Sequence, residues 1–218
     1  MPAEPADDPT KPTVARERMV ADQLIARDID DLRVIEAMRR VPRHLFVPGG
    51  VIDEAYRDAP SPIGHGATIS QPYIVAFMTQ ALAIEPTDRV LEVGTGSGYG
   101  AAVLAALAAH VTTVEVVPEL AETARALLAD RDEDLEVVTG DGSLGFPPNA
   151  PYDAISVTAA GPEIPDPLLD QLAPGGRLVM PVGRGVERLL LVTRGPDGDT
   201  TETLIPVRFV PLRGRYGV

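Results

Sequence analysis

The segment Arg89-Val90-Leu91-Glu92-Val93-Gly94-Thr95-Gly96-Ser97-Gly98 joins an apolar run that contains an acid to three glycines at alternate positions. Residues of this kind hold a nucleotide-like cofactor, because without a Cβ the chain turns tightly and its backbone comes close to a ligand. Gly96-Ser97-Gly98-Tyr99-Gly100-Ala101 also satisfies the dinucleotide fingerprint with alanine in its last place, so glycine spacing leaves NAD open. Val111-Thr112-Thr113-Val114-Glu115 then ends in a carboxylate roughly 20 residues downstream, the place from which an acid holds ribose hydroxyls for either cofactor. A third apolar run, Leu135 to Val138, leads to Gly140-Asp141-Gly142. A glycine-rich turn without a ligand is opposed by the agreement of three separate strand ends. Cysteine is absent, which removes thiolate nucleophiles, thiolate metal sites and disulfides together. His44, His65 and His110 offer no zinc-binding spacing, so no metal centre is predicted.

A parallel sheet is needed to hold these residues. The run before Gly94 suits a buried strand, and the alanine-rich segment from Gly100 to Ala109 suits the helix after it. Strand and helix patterns alternate from Val90 to about Val182, which predicts an α/β fold: a doubly wound, mostly parallel, seven-stranded Rossmann-like sheet covered on both faces. Leu189 to Thr193 and Leu204 to Leu212 flank Gly195-Pro196-Asp197-Gly198, a hairpin signal that adds an antiparallel edge. Upstream, helical spacing runs from Val14 to Arg27 and from Asp31 to Met38, Pro42 ends the second helix, and another helix is predicted from Pro72 to Leu82. Residues 43–68 read as a long loop, which in a compact domain is usually either functional or disordered. Residues 1–12 are expected to be a disordered tail ahead of one domain over 13–218. Within it, 13–85 carry the N-terminal helices and active-site loop, 86–185 the cofactor-binding core and 186–218 the C-terminal hairpin.

Composition narrows the class further. A formal charge of −13, with no lysine beyond Lys11, argues against nucleic acid as a partner, since phosphate binding needs clustered positive charge. No window approaches the ~18 consecutive apolar residues of a membrane span, and no cationic leader precedes an apolar segment, so a cytoplasmic protein without membrane partners is expected.

Glu92 ahead of the first glycine, with Gly140-Asp141-Gly142 after the third strand, resembles class I S-adenosylmethionine (AdoMet)-dependent methyltransferases. The resemblance then becomes more specific. Val41-Pro42-Arg43-His44-Leu45-Phe46-Val47-Pro48, Ala55-Tyr56, Pro62-Ile63-Gly64, Thr68-Ile69-Ser70-Gln71-Pro72-Tyr73, Val157-Thr158-Ala159-Ala160 and Gly175-Gly176-Arg177-Leu178-Val179 resemble the protein-L-isoaspartate (D-aspartate) O-methyltransferase family from about residue 14 to the C-terminus. Departures are Gly100 for a usual glutamine or threonine, Phe146 for tryptophan and Asp28 for glycine.

The resemblance implies methylation of the free α-carboxylate of isoaspartyl residues, and of D-aspartyl residues, in damaged proteins and peptides. The ester closes unaided to a succinimide, and hydrolysis returns some aspartate. Little acid or base help is required, because a carboxylate of pKa ~3.9 is already ionised at neutral pH and the sulfonium is already a good leaving group. Alignment and exclusion of water remain, and alignment can supply ~7–11 kcal/mol.

By the same resemblance the cofactor is AdoMet and the product S-adenosyl-L-homocysteine (AdoHcy). Gly94, Gly96 and Gly98 contact the methionine part, Glu115 the ribose hydroxyls, and Asp141 with Gly142 the adenine edge; Thr95 and Val116 also belong to the cofactor site. Glu92 holds the loop or reaches the methionine amino group through water. Ser70 is the residue of the active centre, orienting the substrate carboxylate, and it can also cap the helix at Pro72. Thr68, Ile69 and Tyr73 line the same pocket. Ile63, His65, Thr158, Ala159 and Ala160 lie near the peptide, although a loop histidine such as His65 is also commonly solvent-facing. Arg208, in the segment that folds over the site, pairs with a carboxylate or forms a surface salt bridge. Partners are isoaspartyl-containing proteins and peptides, with a monomer expected. Alternatives are an aspartate methyltransferase dedicated to one biosynthetic peptide, disfavoured by a chain ending soon after Leu212, and a non-catalytic AdoMet-binding module, disfavoured by Ser70 and the complete glycine loop.

Overall fold

The structure, a computed structural model, describes residues 11–217. Helix α1 (Pro12–Arg18) opens on a proline, whose missing N–H is harmless at the first helical position. It therefore starts at the end of the segment expected as a tail; residues 1–10 lie outside the described residues. The long helix expected to Arg27 is a composite, because α1 passes into a π turn at Met19–Leu24 and a 3-10 turn at Ile25–Arg27. Met19, Val20 and Leu24 are buried there. The composite stops at Asp28, which takes the left-handed φ of 68°. Glycine adopts that conformation freely and aspartate better than most residues, so the departure at 28 has a backbone reason.

Helix α2 (Leu32–Arg40) is capped by Asp31, whose Oδ1 accepts from the Arg33 N–H at 2.8 Å. The region expected as a loop from 43 to 68 is more ordered than its prolines and glycines suggest. It holds a short helix α3 (Ile52–Ala55) and an antiparallel ribbon of β1 (Ser61–Gly64) and β2 (Ala67–Ile69). His65 and Gly66 form the ribbon's two-residue turn with φ of 52° and 75°, the doubly positive pattern that fits the twist of paired strands. Helix α4 (Pro72–Ala81) follows directly.

The main sheet is built from β3 (Arg89–Val93), β4 (His110–Glu115), β5 (Leu135–Thr139), β6 (Tyr152–Val157), β7 (Leu172–Val182), β8 (Glu187–Gly195) and β9 (Gly198–Val207). Its order is β5-β4-β3-β6-β7-β8-β9, with the first five strands parallel and β8 antiparallel to both neighbours. The mostly parallel seven-stranded sheet with an antiparallel edge is thus present. The last strand ends at Val207, so residues 208–212 leave the sheet instead of extending the hairpin. Helices α5 (Tyr99–Ala105), α6 (Pro118–Leu128) and α7 (Asp166–Asp170) complete the alternation. Winding runs outward from β3 through β4 to β5 and then returns to β6 on its other side, which opens a crevice at the carboxyl ends of β3 and β6.

Alternate residues of β3 serve different layers. Val90 packs with Met78, Leu82, Leu104 and Val179, while Leu91 and Val93 pack with Val114, Ile155 and Leu178 on the other face. A strand covered on both sides calls for an unbroken apolar run. Glu92 interrupts that run and is only 1% exposed.

The left-handed turn at residue 28 makes a prediction. Asp28→Gly should be more stable than Asp28→Ala by about 1 kcal/mol in urea unfolding, because alanine there bears the left-handed penalty that glycine escapes. Equal stabilities would remove the conformational explanation.

Candidate active site

The crevice is floored by the loop between β3 and α5, fastened from both sides. Thr158, just after β6, donates from Oγ1 to the carbonyls of Gly94 (2.7 Å) and Val93 (3.0 Å), and its hydroxyl fills the space that a side chain at 94 would take. From β4, Glu115 accepts the Gly96 N–H on Oε2 at 2.8 Å and the Val117 N–H on Oε1 at 3.0 Å. Each carboxylate oxygen has a second lone pair, so Glu115 retains acceptor capacity for hydroxyls in the crevice.

Glu92 lies beneath the loop. Thr113 Oγ1 donates to its Oε2 at 2.6 Å and is itself 2.7 Å from Thr95 Oγ1. Burial raises the Glu92 pKa to about 8, opposed by the Thr113 hydrogen bond and assisted by the charge of Glu115. Its Oε1 approaches Gly100 so closely that a Cβ at 100 would collide with it. The departure from glutamine or threonine at 100 therefore makes room for this carboxyl group.

Three cavities meet along the crevice, all bordered by Thr68 and Thr158. The first, about 650 Å³, is lined by Gly94, Gly96, Glu115, Val116, Gly142, Ala159 and the C-terminal residues from Val210 to Arg213. The second, about 560 Å³, is lined by Ile69, Ser70, Glu92, Thr95, Gly96 and Gly100. The third, about 970 Å³, lies between Ser70, Gln71 and Ile74 on one side and Pro206 to Val210, including Arg208, on the other. Ser70 borders the second and third.

Capping is not the role of Ser70. The N-cap of α4 is Gln71, without a side-chain capping bond, and the Ser70 hydroxyl has no hydrogen-bond partner among the described residues. Arg208 is exposed and likewise has no ion pair among the described residues.

Several expected site residues sit elsewhere. Tyr73 does not line these cavities; its hydroxyl donates to Asp28 Oδ1 at 3.4 Å and the Arg27 guanidinium stacks 3.7 Å from its ring, because this face of α4 meets the N-terminal helices. Ala160 is engaged through its backbone, accepting from Leu212 N–H and donating to Val210 O, both at 2.8 Å. His65 lines the first cavity beside Glu115, away from Arg208. Ile63 rests against Gly96 and lines none of the three. Asp141 lines none of them either, since its carboxylate turns toward Ser143 and the C-terminal residues. Gly98 opens α5 and packs against α6.

The sequence left other contributors unmarked. Val75, Met78, Thr79, Leu104 and Ser156 wall the second cavity from α4, α5 and β6. Arg43 is fully buried beneath it, donating from Nε to the Ala55 carbonyl at 2.7 Å and stacking 4.9 Å from the ring of Tyr99, the first residue of α5. The one available signal was a charged residue inside the apolar Val41–Val47 segment. Among the described residues no group of three acids or histidines could hold a metal, and no helix is long and apolar enough to cross a membrane.

Comparison with known proteins gives a consistent picture. The family model for protein-L-isoaspartate (D-aspartate) O-methyltransferase matches residues 15–217. A protein-L-isoaspartate O-methyltransferase of Methanoculleus marisnigri is 57% identical over 204 residues, covering 93% of each chain. Among solved structures, a protein-L-isoaspartate O-methyltransferase superposes with a TM-score of 0.84 at 27% identity, over 93% of this chain and 67% of that one. A Plasmodium falciparum protein assigned to the same family, solved with AdoHcy, superposes with a TM-score of 0.79 at 25% identity, over 91% of this chain and 98% of that one.

Glu92 makes the ligand-free protein pH-sensitive. Its folded pKa of about 8 lies above the ordinary 4.5, so its stabilising contribution is complete below about 4.5 and is lost as pH rises through about 8. In thermal unfolding without cofactor, Glu92→Gln should gain on the wild type steadily across that interval. A difference in Tm that is flat with pH would show that Glu92 is ionised in the folded chain throughout.

Proposed function

The chain belongs to the protein-L-isoaspartate (D-aspartate) O-methyltransferase family, and from that premise we propose how its three cavities share the work of methylating an isoaspartyl carboxylate. The enzyme uses AdoMet and acts on isoaspartyl residues of proteins and peptides, starting their return to aspartate through a succinimide. The first and second cavities suit the two halves of AdoMet: Glu115 retains acceptors for a ribose diol, and Glu92 sets a carboxyl group beside the glycine loop for a cationic methionine end. Bound AdoMet supplies an electrophilic methyl group on a sulfonium.

The remaining work belongs to the protein and is mostly positioning. The third cavity admits an extended peptide between the start of α4 and the segment 206–210. Arg208, without an ion pair among the described residues, brings its guanidinium to the rim, suited to drawing in a carboxylate. Ser70 borders both the second and third cavities with its hydroxyl uncommitted among the described residues, and it donates to one carboxylate oxygen while the other faces the second cavity. That shared border is the observation that carries the reading. No general base is needed, because the nucleophile is ionised at neutral pH. Thr68 and the β1–β2 ribbon cover the junction, and water kept out there leaves the carboxylate less solvated and more reactive. Thr158 serves mainly to fix the loop, its proton being committed to the Val93 and Gly94 carbonyls.

The test is methyl transfer from labelled AdoMet to paired peptides differing only in isoaspartate or aspartate at one position. The isoaspartyl member alone should be labelled, across unrelated sequences. Equal labelling of both would overturn the substrate reading. In Ser70→Ala, kcat should fall about tenfold or more, the loss expected for a hydrogen bond to a charged group, with AdoHcy affinity within about twofold of wild type. Unchanged kcat would leave the hydroxyl without a part in the transfer.

A further inference from the structure

One wall of the first cavity is made by a segment that offers little side-chain packing to fix it. Gly140-Asp141-Gly142-Ser143-Leu144-Gly145 follows β5, and Leu144 is exposed. Gly142 lies against β3, where a Cβ would come within 2.6 Å of Val93 Cγ1. Gly145 takes φ 66° and ψ −153°, a conformation essentially confined to glycine. The 3-10 turn Gly142–Leu144 is capped at its start by Asp141, whose Oδ1 accepts from Ser143 N–H at 3.0 Å and from Ser143 Oγ at 2.6 Å. Asp141 Oδ2 accepts the Arg215 N–H at 2.8 Å and keeps a lone pair for a further donor.

The far end of this turn is held by a side chain remote in sequence. Gln171, between α7 and β7, is 7% exposed. Its Nε2 donates to the carbonyls of Leu144 (2.8 Å) and Pro167 (2.7 Å), and its Oε1 accepts the Phe146 N–H at 2.8 Å. Two carbonyls and one N–H dictate the orientation of the amide, and neither a carboxylate nor an alkyl group can serve all three. The chain passes so close over this amide that a Cβ at Gly145 would collide with it. Tyr152 of β6 completes the grip. Its hydroxyl donates to the Phe146 carbonyl at 2.7 Å, and its N–H donates to the Gln171 carbonyl at 2.8 Å. Gln171 and Tyr152 thus hold both backbone polar groups of Phe146, whose ring packs against the apolar cluster containing Leu168 and Leu172.

We propose that Gln171 is a positioning residue for the adenosine end of the site: its amide fixes residues 144–146 and, through them, sets the turn that presents Asp141 and Gly142 to the nucleobase. This rests on the reading that the first cavity holds the adenosine half of AdoMet. Gln171 lines none of the three cavities, so it acts only through the backbone it holds. The link is direct, because Gly145 N–H donates to Gly142 O at 3.0 Å. Removing the amide leaves a carbonyl and an N–H without their partners. The chain yields where it is least fixed, at the turn between Gly142 and Gly145. The second and third cavities take no residue from 141–146 and keep their shape.

The test compares the wild type with Gln171→Met, which keeps the side-chain length without hydrogen bonds, and with Tyr152→Phe, which removes a single hydroxyl, all as full-length protein. In Gln171→Met, the Kd for AdoHcy measured by calorimetry should rise about tenfold. The preference for AdoHcy over S-inosylhomocysteine, which carries an oxo group in place of the adenine amine, should shrink by a similar factor. At saturating AdoMet, kcat and the KM for an isoaspartyl peptide should stay within about twofold of wild type, since the transfer end of the site is untouched. Tyr152→Phe should move affinity and base preference in the same direction by about threefold. Being nearly isosteric, it decides the matter if Gln171→Met does not fold. A Gln171→Met protein that melts earlier yet binds AdoHcy like the wild type, or that weakens both nucleosides equally, would reduce Gln171 to a stabilising residue and overturn the proposal alone. So would a wild type indifferent to the base, or unchanged binding in Tyr152→Phe. Failure of the wild type to bind AdoHcy would overturn the cofactor reading and the proposal with it.

Discussion

The site depends on a turn of backbone that must stay open to a ligand and yet be rigid. The loop from Gly94 to Gly98 makes few of the contacts that normally fix a chain, since its residues offer little side-chain packing. Its geometry is imposed from neighbouring strands: Thr158 holds two carbonyls from β6, and Glu115 holds an amide from β4. Those strands flank β3 in the parallel sheet, so the register of the ladder sets where the hydroxyl and the carboxylate fall. Val93 is paired with Val114 on one side and Val157 on the other, and the holding residues Glu115 and Thr158 are the next residue in each case. A slip of one residue would remove both fastenings together.

The same geometry explains why two acids can lie near one another in a largely apolar layer. Glu115 is anchored by two backbone amides, whereas Glu92 has one hydroxyl donor and a buried setting that pushes it up to about 8. The pair is therefore divided by environment into a fixed acceptor and a group that responds to whatever cation enters beside it. Gly100 belongs to that division, because a side chain there would occupy the place of the Glu92 carboxyl.

Cover for the crevice comes from segments distant in sequence. The β1–β2 ribbon supplies His65 to Ile69, and the chain after β9 supplies Val210 to Arg213. Both lie outside the main sheet, and they touch where Arg213 reaches the His65 carbonyl. Elements of this kind are held by few bonds and can open while the sheet stays intact. The N-terminal helices brace the arrangement from below, with Arg43 packed on Tyr99 at the start of α5.

The sequence by itself determined the order of strands and helices in the core, the hairpin at Gly195–Gly198 and the strand-end residues Glu92, Gly94, Glu115 and Gly142. These follow from period, apolar runs and glycine spacing, which are local properties of the chain. It also placed Ser70 beside a helix start, where substrate contact was the leading reading, capping the lesser one, and the two were compatible. Only the tertiary structure showed that the cap falls at Gln71 and that Ser70 borders two cavities. Likewise the ribbon within residues 43–68 was hidden by Pro60 and Pro62, whose tolerance in an isolated two-stranded edge is a matter of which neighbours are missing. Tyr73, Ala160 and Asp141 were assigned to the site by position along the chain. Their orientation depends on partners 45, 52 and 74 residues away, at Asp28, Leu212 and Arg215, and no local pattern encodes contacts at such separations.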